Sequence, residues 1–284
     1  MDKIYFPARA KINLSLDVLA KRPDGYHQVE MVMQSIELAD MLTFTFRKGS
    51  EVLFTCSHLK VPSDDSNIIM KAVRRIREET GTNKGVSIHL EKRIPVAAGL
   101  AGGSTDAAAA LLALNTLWDL GLSGDKLLEI GAELGADIPF CMKGGTCLAR
   151  GKGEELTLLS PLRPMWVLLV VFPISVSTAE IYGHFRLMGL KGRPDTSAVI
   201  KALEKGDLPA LKISCANVLE SVTLERYPQI AKKKRDLLKK GFSGTLMTGS
   251  GPTLFYLSSE RNEVERAVEA LSLEEEEYII TRTI

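Results

Sequence analysis

The sequence predicts an α+β protein of two-domain size, and three observations carry that expectation. The chain has 284 residues, about twice the ~150 of an ordinary domain. Its first sixty residues alternate apolar and polar side chains as strands do, whereas Ser104–Trp118 is a helical run rich in Ala and Leu. Apolar residues make up 45% and charged residues 25%, the composition of a globular protein that builds its own core.

The elements follow in order. In Lys11–Val18, Ile12, Leu14, Leu16 and Val18 share one face and polar residues the other. Arg22-Pro23-Asp24-Gly25 is turn chemistry, and Val29–Leu38 and Met41–Phe46 read as the next strands. A helix starts at Ser66 or Asn67, runs to about Thr80 and stops at Gly81; strand Val86–Leu90 follows. After helices Ser104–Trp118 and Asp125–Leu134, the Gly-rich, charged segment Lys143–Glu155 marks the expected domain border. Beyond it come a buried strand Trp166–Phe172, helices Ala179–Met188 and Thr196–Leu203, and a mostly helical stretch Ile213–Lys240. Strand Leu254–Leu257, helix Asn262–Leu271 and strand Tyr278–Thr283 close the chain. The basic run Lys232–Arg235 and the acidic run Glu274–Glu277 read as solvated faces.

Several function classes drop out. Lys and Arg total 36 against 35 Asp and Glu, a net charge of +1, which gives no general grip on nucleic acid or an anionic membrane. The longest apolar runs, Ala107–Leu114 and Met165–Phe172, are eight residues each, against the ~20 a membrane-spanning helix needs. The first residues lack the pattern of a secretory signal. Cys56, Cys141, Cys147 and Cys215 show neither CxxC pairing nor metal spacing and are expected to be buried thiols. The expected compartment is the cytoplasm.

The most informative stretch is Pro95-Val96-Ala97-Ala98-Gly99-Leu100-Ala101-Gly102-Gly103-Ser104-Thr105. A strand ends, mostly small residues follow, and a long helix begins. Small side chains let a bulky anion reach the backbone, and a helix N-terminus offers free N–H groups and the positive end of its dipole. A nucleotide polyphosphate suits that combination. The chain has no GxxxxGK[ST], and the glycines do not follow GxGxxG. Asp106 complicates the picture: its carboxylate would repel a phosphate unless it points away or a Mg²⁺ intervenes.

Other residues are compatible with phosphoryl transfer, which needs positioning and charge stabilisation more than covalent chemistry. Lys11 and Asn13 lie on the polar face of their strand, either solvated or lining a cleft. Asp137 follows a helix and precedes Ile138-Pro139, either as a turn residue or as a carboxylate that meets a substrate hydroxyl. His27 beside Tyr26 could hydrogen-bond a base while the tyrosine ring stacks.

These stretches resemble the GHMP kinases. Pro7-Ala8-Arg9-Ala10-Lys11-Ile12-Asn13-Leu14, Asp24-Gly25-Tyr26-His27, the glycine-rich loop, Leu134–Phe140 and Thr248-Gly249-Ser250-Gly251-Pro252-Thr253 lie in the family's order. The resemblance implies a two-domain α+β fold: residues 1–155 as a ribosomal-protein domain-2-like domain with the ATP loop, and 156–284 as a ferredoxin-like domain. It implies ATP and Mg²⁺ as cofactors and a small cytidine-diphosphate substrate, with no nucleic-acid or membrane partner. The implied reaction phosphorylates the 2-hydroxyl of 4-diphosphocytidyl-2-C-methyl-D-erythritol. Lys11 and Asp137 fall at the family's catalytic pair, and Pro95–Thr105 at its ATP loop, bordered by Asn67 and Lys92 near adenine. Asn13, Tyr26, His27, Thr178 and Tyr182 fall at the substrate. No protein metal ligand is assigned: Mg²⁺ is held by Ser104, Thr105, Asp106 or by phosphates and water alone. The family loop often carries glycine where this chain has Ala97 and Ala101. Mevalonate- or homoserine-type activity is opposed by the Asp24–His27 block, and a non-catalytic nucleotide-binding role by the presence of both Lys11 and Asp137.

Overall fold

The structure is a computed structural model that describes residues 2–187, 192–271 and 275–284. The chain divides into two compact units, each discontinuous in sequence. Unit 1 comprises Met1–Ala10, Leu38–Val96 and Ala101–Lys143; unit 2 comprises Lys11–Glu37, Ala97–Leu100 and Gly144–Ile284. Two long strands cause the discontinuity: β1 (Lys3–Lys21) and β2 (His27–Arg47) each give one end to each unit. Residue 155 lies inside unit 2. Periodicity splits β2 at Ala39-Asp40, but the strand runs through, because the buried Asp40 carboxylate finds hydrogen-bond donors inside the protein.

In unit 1, the second half of β2 pairs antiparallel with β4, in register Met41↔Glu91 to Arg47↔Gly85. Strand β3 (Val52–Cys56) pairs parallel with β4 (Gly85–Glu91). Helix α1 (Ile68–Thr80) starts at Asn67, whose Oδ1 accepts Ile69 N at 2.8 Å, and ends at Gly81 with φ 68°. Helix α2 (Gly102–Leu117) begins two residues before Ser104, with Ala101 at its N-cap and no side-chain cap. Ser123 caps α3 (Gly124–Leu134) through Lys126 N. Helix α4 (Ile138–Lys143) follows unexpectedly, since Pro139 reads as a stop; in a helix's first turn, however, proline loses no intrahelical hydrogen bond. Leu42, Phe44, Val86, Ile88 and Leu90 of the sheet pack with Ile69 and Ile76 of α1 and with the alanines of α2, which is buried almost all round.

In unit 2, the segment read as a border holds β5 (Thr146–Arg150) and part of β6 (Glu155–Leu158), an antiparallel hairpin whose β5 also pairs with the first half of β2. The rest runs β7 (Trp166–Val171), α5 (Thr178–His184), α6 (Thr196–Lys205), α7 (Leu208–Ser214), α8 (Glu220–Arg226), α9 (Pro228–Lys239), β8 (Leu246–Met247), β9 (Leu254–Ser258), α10 (Arg261–Ala270) and β10 (Glu277–Arg282). The four strands form an antiparallel sheet in the order β10-β7-β9-β8. Strand, helices, two strands, helix, strand is the ferredoxin-like succession. The expected helix end at Met188 and Glu274 of the acidic run lie outside the described residues.

The inner half of β1 is buried on both faces. Ile12, Leu14, Leu16 and Val18 are buried, and so are Lys11, Asn13, Ser15 and Asp17. That buried polar face needs internal partners, and it has them: Ser15 Oγ accepts Val32 N at 3.2 Å, and Asp17 pairs with Arg193. None of the four cysteines is in a disulfide; Cys147 is buried and the other three are only half-buried, short of the full burial expected of them. No helix among the described residues is long and apolar enough to cross a membrane.

Candidate active site

The glycine-rich loop leaves β4 at Glu91 and enters α2 at Gly102. Ala97 and Ala101 adopt φ 57° and 59°, the left-handed region that costs an L-residue roughly 1–2 kcal/mol. The chain therefore keeps, with alanine, a backbone that glycine would adopt freely. No side chain caps α2, so no side-chain acceptor meets the N–H groups of its first turn. The two glycines opening α2 differ in surroundings. A Cβ on Gly102 would stand 2.8 Å from Lys92 Nζ and 3.2 Å from Ile94 Cγ2, whereas one on Gly103 would meet only Ile68 Cγ2, at 3.6 Å. Gly102 thus makes room for Lys92, and Gly103 is the position open to an incoming group.

Lys92 is 5% exposed and points inward. Its Nζ donates to Asp40 Oδ2 and, at 2.9 Å, to Asp106 Oδ2. Burial alone would lower the Lys92 ammonium, but the two carboxylates outweigh it and hold it raised. Asp106 points onto this cation rather than along the loop. Asp40 was not singled out by the sequence; the structure shows it fully buried, where a carboxylate needs a partner. Asn67 is also committed: besides capping α1, its Nδ2 donates to Pro62 O at 2.6 Å. Thr105 Oγ1 donates to Arg9 O at 2.7 Å.

In unit 2, Lys11 is 4% exposed, and its Nζ donates to Asn13 Oδ1 at 2.7 Å and Gly99 O at 3.2 Å. Lys11 N also donates to Leu100 O, which ties the loop to β1. Asn13 Oδ1 further accepts Gly249 N at 3.0 Å and the Thr248 hydroxyl at 3.3 Å, while Asn13 N donates to Thr248 Oγ1 at 3.1 Å. A Cβ on Gly99 would stand 2.6 Å from Thr248 O and 2.8 Å from Gly251 O. Two small-residue turns therefore meet backbone to backbone, with Lys11 and Asn13 as the pins. Asn217 holds the second turn through Met247 O and Gly249 O. Neither Thr248 nor Asn217 was marked as a pin by spacing, because both act across long sequence separations.

The other residues of unit 2 that the resemblance assigns to the substrate also come together in part. Thr178 and Tyr182 lie one turn apart on α5. Thr178 Oγ1 hydrogen-bonds Ser250 Oγ at 2.9 Å, and the Tyr182 ring lies 5.1 Å from that of His27. Tyr26 is 59% exposed, with Lys152 Nζ 5.0 Å above its ring. Burial and, less strongly, the charge of Lys21 hold the His27 imidazole below its usual pKa, so the ring is neutral near pH 7. A neutral imidazole presents one donor and one acceptor, which matches a base edge. Asp137, half-buried in unit 1, starts α4: its carbonyl accepts Cys141 N at 3.0 Å.

The N-terminal domain model of the GHMP kinases matches residues 67–145, and their C-terminal model matches residues 199–275. The chain belongs to the GHMP kinase family, whose members are ATP-dependent phosphotransferases. Its curated relatives include the 4-diphosphocytidyl-2-C-methyl-D-erythritol kinase of Brevibacillus brevis, 47% identical over 269 residues, which cover 95% of this chain and 92% of the relative. The enzyme of the same name from Bacillus subtilis is 46% identical over 269 residues, 95% of this chain and 93% of that one. A crystal structure of 4-(cytidine 5'-diphospho)-2C-methyl-D-erythritol kinase superposes with a TM-score of 0.83 at 32% identity, covering 99% of both chains. Homoserine kinase from Cytophaga hutchinsonii, at TM-score 0.77 and 18% identity over 100% of this chain and 95% of that one, shares the fold.

Proposed function

We propose that this chain transfers the γ-phosphoryl group of MgATP to the 2-hydroxyl of 4-diphosphocytidyl-2-C-methyl-D-erythritol, a step in non-mevalonate isoprenoid precursor synthesis. The start of α2 carries the donor half of this reading: it is uncapped, and Gly103 lies open at its first turn. The Tyr26–His27–Tyr182 group, with a neutral imidazole and aromatic rings, supports a cytosine ring as the acceptor's handle. The names of the close relatives point the same way.

In this reading Lys11 meets the charge that develops on the transferring phosphoryl group. Its ammonium donates to Asn13 Oδ1 and Gly99 O, which help fix its position. Asp137 orients the acceptor hydroxyl and takes its proton, while Asn13 and Thr178 border the erythritol part. Mg²⁺ enters as part of the donor, where it neutralises phosphate oxygens. Two of the side chains beside the loop are already engaged, Asp106 Oδ2 with an ammonium and the Thr105 hydroxyl with a carbonyl. Use of ATP places the enzyme with the cytoplasmic nucleotide pool. An acceptor panel tests the reading: ATP-dependent phosphate transfer to the cytidine substrate, with product mass and phosphorus NMR, against mevalonate and homoserine. The expected outcome is one phosphomonoester on the cytidine substrate and none on the others; comparable transfer to mevalonate or homoserine contradicts it.

A further inference from the structure

Three buried charges meet beside the start of α2, and the reaction described above uses none of them directly. Lys92 Nζ faces both Asp40 Oδ2 and Asp106 Oδ2, and the three side chains are 5%, 0% and 4% exposed. One ammonium cannot neutralise two carboxylates, and a surplus negative charge this deep is strongly unfavourable. The group becomes neutral when one carboxylate keeps its proton.

The hydrogen-bond donors decide which one. Asp40 Oδ1 accepts Arg93 N at 2.6 Å and Ile94 N at 2.8 Å, and its Oδ2 takes the ammonium. Three donors favour an ionised carboxylate. Asp106, by contrast, has a single donor, Lys92 Nζ on its Oδ2, while its Oδ1 is buried with no donor. We propose that the Asp40–Lys92–Asp106 group holds a single proton, on Asp106, and that Asp40 is a positioning residue which keeps negative charge off the first turns of α2, where the triphosphate binds.

Burial raises Asp106 well above the usual carboxylate range; Lys92 pulls it down, and the charge of Asp40 pushes it up again. Its main charged neighbours are these two, Lys92 from the end of β4 and Asp40 from β2. On the same turn, Thr105 Oγ1 meets the backbone carbonyl of Arg9 in β1, and Gly103 faces the apolar Ile68 of α1. An ionised Asp106 would oppose a polyanion at the same helix end; a protonated one does not. Asp40 also holds the stem of the loop through Arg93 N and Ile94 N, so one side chain sets both the shape and the charge of the loop's base.

The inference rests on the reading of this loop as an ATP site, and the test separates the two. Infrared spectra of the full chain at neutral pH are compared for wild type, Asp106→Asn and Asp40→Asn, alongside calorimetry with a non-hydrolysable ATP analogue. The wild type should show the C=O stretch of a protonated carboxyl that Asp106→Asn removes. Asp106→Asn, a neutral isostere, should bind the analogue within about twofold of wild type, and Asp40→Asn should lose the band and bind about tenfold more weakly. The proposal is overturned if wild type and Asp106→Asn show no difference in that band, or if Asp106→Asn weakens the analogue as much as Asp40→Asn. Should Asp40→Asn not fold, the comparison of wild type with Asp106→Asn decides. A wild type that carries the band but ignores the analogue contradicts the ATP reading and leaves the shared proton standing.

Discussion

Gly103 and Gly102 are adjacent glycines with opposite consequences for substitution. At Gly103 a methyl group meets only Ile68 Cγ2 at an ordinary 3.6 Å, and alanine in a helix is favoured over glycine by roughly 0.5–1 kcal/mol. Gly103→Ala should therefore melt no lower than wild type, yet raise the ATP KM about tenfold if phosphate oxygens approach that backbone. Thermal melting and initial rates check this, and an unchanged KM would move the phosphates elsewhere. Gly102→Ala, in contrast, would press on the buried Lys92 ammonium and confuse stability with binding. His27 gives a second prediction at this scale. Its lowered pKa means that the ring stays neutral until the pH falls below the ordinary 6.5. Cytidine affinity should be flat above that value and decline as the pH falls through the depressed pKa, because protonation replaces the ring's acceptor with a second donor. His27→Ala should bind cytidine weakly at every pH; calorimetry across the range measures both, and an unchanged pH profile in the variant would remove His27 from the base site.

Asn67 shows how an element claims a side chain that a motif assigns to a ligand. It was placed near adenine by resemblance, but its Oδ1 caps α1 and its Nδ2 binds Pro62 O. Asn67→Ala should lower stability by about 1 kcal/mol, the usual cost of losing a cap, with ATP KM nearly unchanged; the reverse pattern in melting and kinetics would return Asn67 to the nucleotide. Elements with a local cause were legible: Asn67 and Gly81 bracket α1, Ser123 starts α3, and the Ala-rich run is α2. Elements whose cause is tertiary were not. The two halves of β2 read as separate strands because Asp40 looks like a break until Lys92, Arg93 and Ile94 are seen to satisfy it. α4 hid behind Pro139, and β5 behind the glycines around it.

At the scale of the whole molecule, a single cut in sequence does not describe the two units, because β1 and β2 run through both. Alternation in β1 marked its apolar face but left the polar face open between solvent and cleft. The structure buries that face, and with it Lys11 and Asn13, whose partners lie about 90 and 235 residues away in sequence. The glycine loop stood out because small residues before a helix suit an anion, and Lys11 and Asp137 were singled out through the resemblance. The Thr248–Thr253 turn was singled out through the resemblance as well, but Asn217 and Asp40 were not, since they act only through the folded chain. The central claim is that Lys11 and Asp137 serve one phosphoryl transfer. A double-mutant cycle on kcat, with Asp137→Asn, Lys11→Met and the double variant, tests it most directly. Asp137→Asn should lower kcat by roughly 10²–10⁴ with ATP binding little changed. Lys11→Met should lower kcat as well, and the double variant should lose less than the two single losses combined. Losses that add in free energy, or near-normal turnover in Asp137→Asn, would contradict the account.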